Sequence, residues 1–194
     1  MLILWAMVAY LSGALPWSVW LGRLFFHTDP RQQRDRNPGA ANAFRAAGWR
    51  LGVAVLALDF FKAFLPVAAA RWLVGIHDAR LFWIALMPVL GHAFSVFLRL
   101  RGGRGIVTLF GVWTGLTLYV APVVMGAAAL CGVFALKSDE ARTLLIPLAL
   151  IVFLLLTRAP GWMALLAFAQ ALTLLTKISI FLIEQRRLRC VEGL

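Results

Sequence analysis

Runs of predominantly apolar residues, most of them near the roughly 18 to 20 residues that a helix needs to cross a bilayer, follow one another along the whole chain. A water-solvated fold has no place to bury them all. Of the 194 residues 62% are hydrophobic and the mean hydropathy is +0.87, against roughly 45 to 50% apolar content in soluble domains. The sequence therefore predicts a single all-α, polytopic membrane domain over residues 1–194 and excludes a soluble globular fold.

Seven spans are expected. The first runs from about Leu2 to Leu21, interrupted by Gly13 and Pro16, after which Arg23 opens a polar loop reaching Trp49. The second covers about Leu51 to Val74 and the third about Leu81 to Leu98. The apolar run from Gly105 to Leu136 is too long for one straight helix, and Tyr119, Ala121 and Pro122 mark a turn dividing it into a fourth and a fifth span. A short sixth from about Leu144 to Leu156 and a seventh from about Met163 to Ile183 flank the breaker Thr157-Arg158-Ala159-Pro160-Gly161. The N-terminal run lacks a basic n-region and is read as a retained helix rather than a signal peptide. No internal repeat is visible, so an inverted-repeat transporter architecture finds no support.

Charge gives the orientation. With the N-terminus outside, Arg23, Arg31, Arg34, Arg36, Arg45, Arg50, Arg99, Arg101, Arg104, Lys137, Arg142, Arg186, Arg187 and Arg189 are cytoplasmic. Only Arg71, Arg80 and Arg158 fall outside, so the expectation is N-out and C-in. Trp5, Trp20, Trp72, Trp83 and Trp162 lie near span ends, where interfacial anchors belong. The net charge of +11 is distributed between apolar runs rather than over a soluble face, which argues against nucleic acid and for anionic headgroups and phosphorylated substrates. Two cysteines, Cys131 and Cys190, make no disulfide framework.

Two polar segments carry candidate chemistry. Gly91 to Thr108, GHAFSVFLRLRGGRGIVT, combines a histidine, three arginines and a Gly-Gly-Arg-Gly turn entering a new helix. Close-approaching amides, a helix start and guanidinium forks are the parts of a phosphate site. The same turn reads equally as a basic stop signal, and His92 by itself more often belongs to structure. Arg36 to Arg45, RNPGAANAFR, places Asn37 and Asn42 where they could bind hydroxyl or phosphoryl oxygens, with Arg45 holding charge; Asn-Pro-Gly is equally ordinary turn chemistry. Asp59 and Lys62 share a helix face and read as a mutually neutralising pair, structural or supporting a site. Lys177 reads as snorkelling or facing a partner helix.

Taken together, SGALPWSVWLGRLF, RNPGAANAFR, LDFFKAFLPV and GHAFSVFLRLRGGRGIVT resemble the bacterial acyl-phosphate glycerol-3-phosphate acyltransferase family over about the first 120 residues. The resemblance implies a seven-span inner-membrane enzyme that moves a fatty acyl group from acyl phosphate to glycerol 3-phosphate without a metal or other cofactor. It maps Asn37, Gly39, Asn42 and Arg45 onto the family's first motif, and His92, Arg101, Gly102, Gly103, Arg104, Gly105 and Thr108 onto its second. All eleven are expected to bind substrate, with Arg45 and Arg104 on phosphate.

The departures are specific. Asp35 and Arg36 stand where the family usually has Ser-Gly, Ala41 replaces a usual threonine, and Arg101 and Arg104 replace lysines. Asp35 puts negative charge where a phosphate-binding hydroxyl is expected. The third motif is barely visible in IEQRRLRCVEGL, with Glu192 and Gly193 as its only remnants. The alternative expectation is a non-catalytic homologue that binds lipid or assembles with a protein partner; a transporter comes third. No histidine is followed by an aspartate five residues on, and no general base is obvious, so positioning and electrostatics must supply most of any catalysis.

Overall fold

A computed structural model describes the backbone of residues 1–33 and 35–191 and the side chains up to Arg186. Arg34 and the Glu192 and Gly193 of the third-motif expectation lie outside the described residues, as do the side chains of Arg187, Arg189 and Cys190. The elements are α1 (Leu2–Ala14), α2 (Trp17–Phe26), α3 (Ala40–Ala68), α4 (Arg80–Ala93), α5 (Ile106–Thr117), α6 (Val120–Ala135), α7 (Asp139–Leu156) and α8 (Gly161–Val191), with no strand among the described residues.

The first apolar run becomes two helices bent by 40°. Pro16 lacks an N–H and forces Leu15 out of the helical region, to φ −58 and ψ 118. Helix α2 then continues through Arg23 to Phe26, so the polar connection starts at His27 rather than at Arg23. It also ends earlier than expected. Helix α3 begins at Ala40, where an alanine-rich stretch favours helix, and kinks at Gly48, whose φ of 72 suits glycine alone. Asn42 and Arg45 therefore sit on a helix, not in the loop. Helix α4 stops at Ala93 and the predicted end of its span, Val96–Leu98, is a separate 3-10 turn. The break between α5 and α6 falls at Leu118 and Tyr119, with Pro122 in the first turn of α6, where a missing N–H costs nothing.

By length and composition α3 with its π-helical extension Ala69–Leu73, α4 with its following turn, and α8 suit a bilayer crossing, as does the bent α1–α2 pair. The surface agrees. Leu4, Met7, Phe25, Leu65, Leu155, Leu156, Leu165 and Phe168 are all more than half exposed, a pattern that water penalises and lipid does not.

Small residues bring backbones together inside this shell. Gly13 lies against the Pro88 backbone and Gly91 against the Tyr10 carbonyl, closing α1 on α4. Gly111 and Gly115 do the same between α5 and α3. At the centre, fully buried Trp113 donates its indole N–H to Gln170 Oε1 at 2.8 Å, and Gln170 Nε2 donates to the Ala85 carbonyl at 3.2 Å. The Gln170 side chain thus ties α5, α8 and α4, its amide satisfied by the bundle itself.

Candidate functional site

The polar residues gather at one pole of the helix bundle. There the loop between α2 and α3 meets the starts of α3, α5 and α7, the end of α4 and the C-terminal half of α8. Ser18 holds the loop down by donating to the Pro38 carbonyl at 2.9 Å. Asp29 organises its first half, accepting from the Arg31 backbone and guanidinium and from Arg23. Those bonds, with Arg31 the leading cause, hold the Asp29 carboxyl down at about 2 despite partial burial.

Asp35 organises the second half. Its Oδ2 accepts from Arg104 Nη2 at 2.8 Å, and its Oδ1 accepts from Asn42 Nδ2 at 2.7 Å and from the Asn37 N–H at 3.3 Å. Asn42, buried on the first turn of α3, also donates to the Asn37 carbonyl at 2.9 Å and accepts from Arg45 Nη1 at 2.6 Å. The Asn37 Oδ1 in turn accepts from the Arg104 backbone N–H at 3.3 Å. Gly39, the residue before α3, has an extended backbone and donates its N–H to the Asn37 carbonyl. Asn37, Asn42, Arg45 and Arg104, drawn from two distant segments, thus form one connected network around Asp35.

A cavity of about 390 Å³ opens on this network, lined by Asp35, Asn42, Arg45 and Arg104 together with Asp139, Glu140 and Arg142 of α7. The Arg104 guanidinium lies over the Phe181 ring at 5.6 Å, and its Nε is buried with no partner among the described residues. A neighbouring cavity of about 630 Å³ is lined by Arg31, Arg36, Arg101, Lys177, Phe181 and Glu184, among others. Arg101 therefore faces a different space from Arg104, three residues on.

The glycine turn does something other than present amides to an anion. Gly102 and Gly103 donate their N–H groups to the carbonyls of Ala93 and His92, both at 3.1 Å, so these two donors are consumed in folding the turn back onto α4. A side chain at Gly102 would run into the His92 carbonyl, and Gly103 sits against the His92 ring. Gly105, at φ 84, makes the left-handed step from which α5 starts. The buried His92 ring lines neither of these cavities. It lines a crevice of only about 10 Å³ with Asp59 and Lys62, its Nδ1 3.9 Å from Asp59 Oδ1. Thr108 is buried on α5, its hydroxyl without a partner among the described residues.

Lys177, which the sequence suggests as snorkelling or facing a partner helix, belongs to the site. Its side chain is buried against Phe94 and Phe181, with Nζ 5.2 and 5.3 Å from their rings, and lines the cavity that holds Arg101. The available signal was a lone cation deep in the last apolar run, a default marker of function in a membrane helix.

Comparison with known proteins points one way. Residues 3–187 match the family model described as glycerol-3-phosphate acyltransferase. The glycerol-3-phosphate acyltransferase of Pseudomonas aeruginosa (strain LESB58) is 37% identical over 161 residues, covering 83% of this chain and 84% of its own. Glycerol-3-phosphate acyltransferase 1 of Thermotoga maritima is 42% identical over 120 residues, 61% of this chain and 59% of its length. Among solved structures, the glycerol 3-phosphate form of PlsY (YgiH), an integral membrane glycerol 3-phosphate acyltransferase, superposes with a TM-score of 0.83 at 26% identity. That match covers 99% of this chain and 92% of the other.

Proposed function

The chain belongs to the glycerol-3-phosphate acyltransferase family, and from that premise we propose that it transfers a fatty acyl group from acyl phosphate to glycerol 3-phosphate in the bacterial inner membrane. The observation that carries the reading is the junction of the two family motifs at Asn37, Asn42, Arg45 and Arg104 around one cavity. The glycerol hydroxyl attacks the acyl carbonyl, the acyl-oxygen-phosphorus linkage breaks on the acyl side, and the hydroxyl proton leaves with inorganic phosphate. Products are lysophosphatidate and phosphate. No metal is needed if guanidinium groups stabilise the leaving phosphate and the network orients the acceptor. Asn37, Asn42 and Arg45 build the acceptor wall in this reading, and Gly39 precedes the helix that carries Asn42 and Arg45. Arg101 and Arg104 supply charge to the two cavities, and His92 with Gly102, Gly103 and Gly105 fixes the turn that carries them. Thr108, buried on α5 with its hydroxyl unpartnered among the described residues, is given no role in this reading.

The test is turnover by purified protein in lipid. Labelled acyl phosphate with glycerol 3-phosphate should give lysophosphatidate, and Arg104→Met should lower kcat/KM by about a hundredfold or more, the scale of losing one charged transition-state donor. Arg104→Lys, which keeps charge without the fork, should recover part of that loss. Formation of product at equal rates by wild type and Arg104→Met would remove the role given to Arg104.

One observation favours a second reading. Asp35 already occupies Arg104 and Asn42, as in a homologue that has exchanged turnover for lipid binding or assembly with another protein. A folded preparation that turns over no acceptor while co-purifying with a stoichiometric partner would establish it.

A further inference from the structure

The Arg104–Asn42 junction is built as an anion seat, and an anion of the chain's own sits in it. Three of the roughly four acceptor sites on a carboxylate are filled at Asp35, by Arg104 Nη2, Asn42 Nδ2 and the Asn37 N–H. Asp35 and Arg104 are each only 13% exposed in their side chains, so screening by water is weak and the pair is not a surface contact. Among the described residues that line the cavity, positive charge is not in surplus: Arg45, Arg104 and Arg142 are matched by Asp35, Asp139 and Glu140. Arg142 is itself engaged by Asp139 at 3.2 Å. With a neutral residue in place of Asp35, the same described wall would carry one net positive charge beside an Arg104 Nε that is buried and without a partner among the described residues.

We infer that Asp35 is an internal competitor for the phosphate seat on Arg104 and Asn42, and so the residue that sets this chain's selectivity between phosphorylated and uncharged ligands. This rests on the reading of that cavity as the acceptor site. A phosphate ester takes the Arg104 Nη2 and Asn42 Nδ2 donors that Asp35 holds only by displacing the carboxylate, and it does so against the repulsion of the displaced charge. An uncharged polyol can line the same wall with Asp35 in place.

The test compares wild type with Asp35→Asn, Asp35→Ser and Asp35→Glu in detergent, following binding of inorganic phosphate and of glycerol 3-phosphate by calorimetry and by thermal stabilisation. Asp35→Asn and Asp35→Ser should bind phosphate at least tenfold more tightly than wild type. Asp35→Glu, which keeps the charge, should stay near wild type. Without phosphate the two neutral variants should melt lower, having left Arg104 unpaired, and phosphate should raise them more than it raises wild type. A merely structural role predicts the first effect and not the second.

Unchanged or weaker phosphate binding by folded neutral variants, or no phosphate binding by any of the four proteins, overturns the inference. If both neutral variants fail to fold, wild type decides. Adding phosphate should shift an aspartate carboxylate band in the difference infrared spectrum of protein carrying ¹³C-labelled aspartate, a shift missing from Asp35→Glu; a flat spectrum counts against displacement. Turnover is assayed on the same samples. Tighter phosphate binding without lysophosphatidate removes the acyltransferase reading and leaves this one, and normal turnover with equal KM and Kd across the charge series does the reverse.

Discussion

Lys62 shows how one side chain can hold a break in a membrane helix. Pro16 ends α1 and strips the Leu15 carbonyl of its helical donor, in a setting where an unsatisfied carbonyl costs several kcal/mol. Lys62 Nζ donates to that carbonyl at 2.9 Å and pairs with Asp59 Oδ1 at 2.7 Å, while the Ser12 hydroxyl donates back to the Lys62 carbonyl. Ser95 performs the matching service for the Ala14 carbonyl. Lys62→Met should therefore cost about 3 to 5 kcal/mol, because it leaves a buried carboxylate and a bare carbonyl together. Asp59→Asn combined with Lys62→Met should cost clearly less than the two single changes added. Additive effects in a double-mutant cycle, measured by thermal denaturation in detergent, would show that the two side chains do not act as a pair. The Asp59–Lys62 pairing was legible in the sequence, since three residues on a helix put two side chains on one face. The Leu15 carbonyl was not, because it stands 47 residues away and only tertiary packing brings it there.

At the scale of elements, the glycine turn after α4 decides where Arg104 goes. Its first two amides bind the end of α4, so the turn is a rigid bracket whose fourth residue starts α5. Gly102→Ala would push a methyl group into the His92 carbonyl and should destabilise by about 1 to 3 kcal/mol, the range for overpacking a closed site. It should also lower activity by displacing Arg104. Gly126→Ala in α6 is the control. Nothing stands within 4 Å of the added carbon, and exchanging glycine for alanine within a helix should be neutral or stabilise by up to about 1 kcal/mol. Equal melting temperatures for the two variants would deny the bracket its role. The sequence announced this turn through its glycines, yet those same glycines argue as well for amides open to phosphate as for amides used in folding. What separates the two is which carbonyls lie nearby, and no local pattern encodes that. The start of α3 was misplaced for a related reason. Polar Asn42 and Arg45 read as loop, whereas Ala40, Ala41 and Ala43 around Asn42 and the support of Asp35 make the first turn of a helix.

Across the whole molecule the basic residues and the fold give the same polarity. Arg31, Arg36, Arg45, Arg101, Arg104 and Arg142 all border the two cavities at one pole. The opposite pole holds the far ends of α3 and α5, joined where the Trp72 indole N–H donates to the Gly115 carbonyl at 2.9 Å, with Arg71 beside it. Sequence counting had placed the first group inside and Arg71, Arg80 and Arg158 outside. It does not show that six of the inside group border the two cavities, because the contributing segments are far apart in the chain, Asp35 and Gln185 of one cavity by 150 positions. On the proposed function the orientation carries a demand: a cytoplasmic acceptor must meet the cavity pole. Single cysteines in a chain lacking Cys131 and Cys190 test it. Exposed Gln32, beside the cavity pole, and exposed Asp78, before α4, are suitable sites. In intact cells a membrane-impermeant maleimide should label Asp78→Cys and spare Gln32→Cys, and both should react after lysis. The reverse pattern would put the cavities outside, away from any cytoplasmic acceptor, and the proposed reaction would fail with the orientation even if every contact around Asp35 stood.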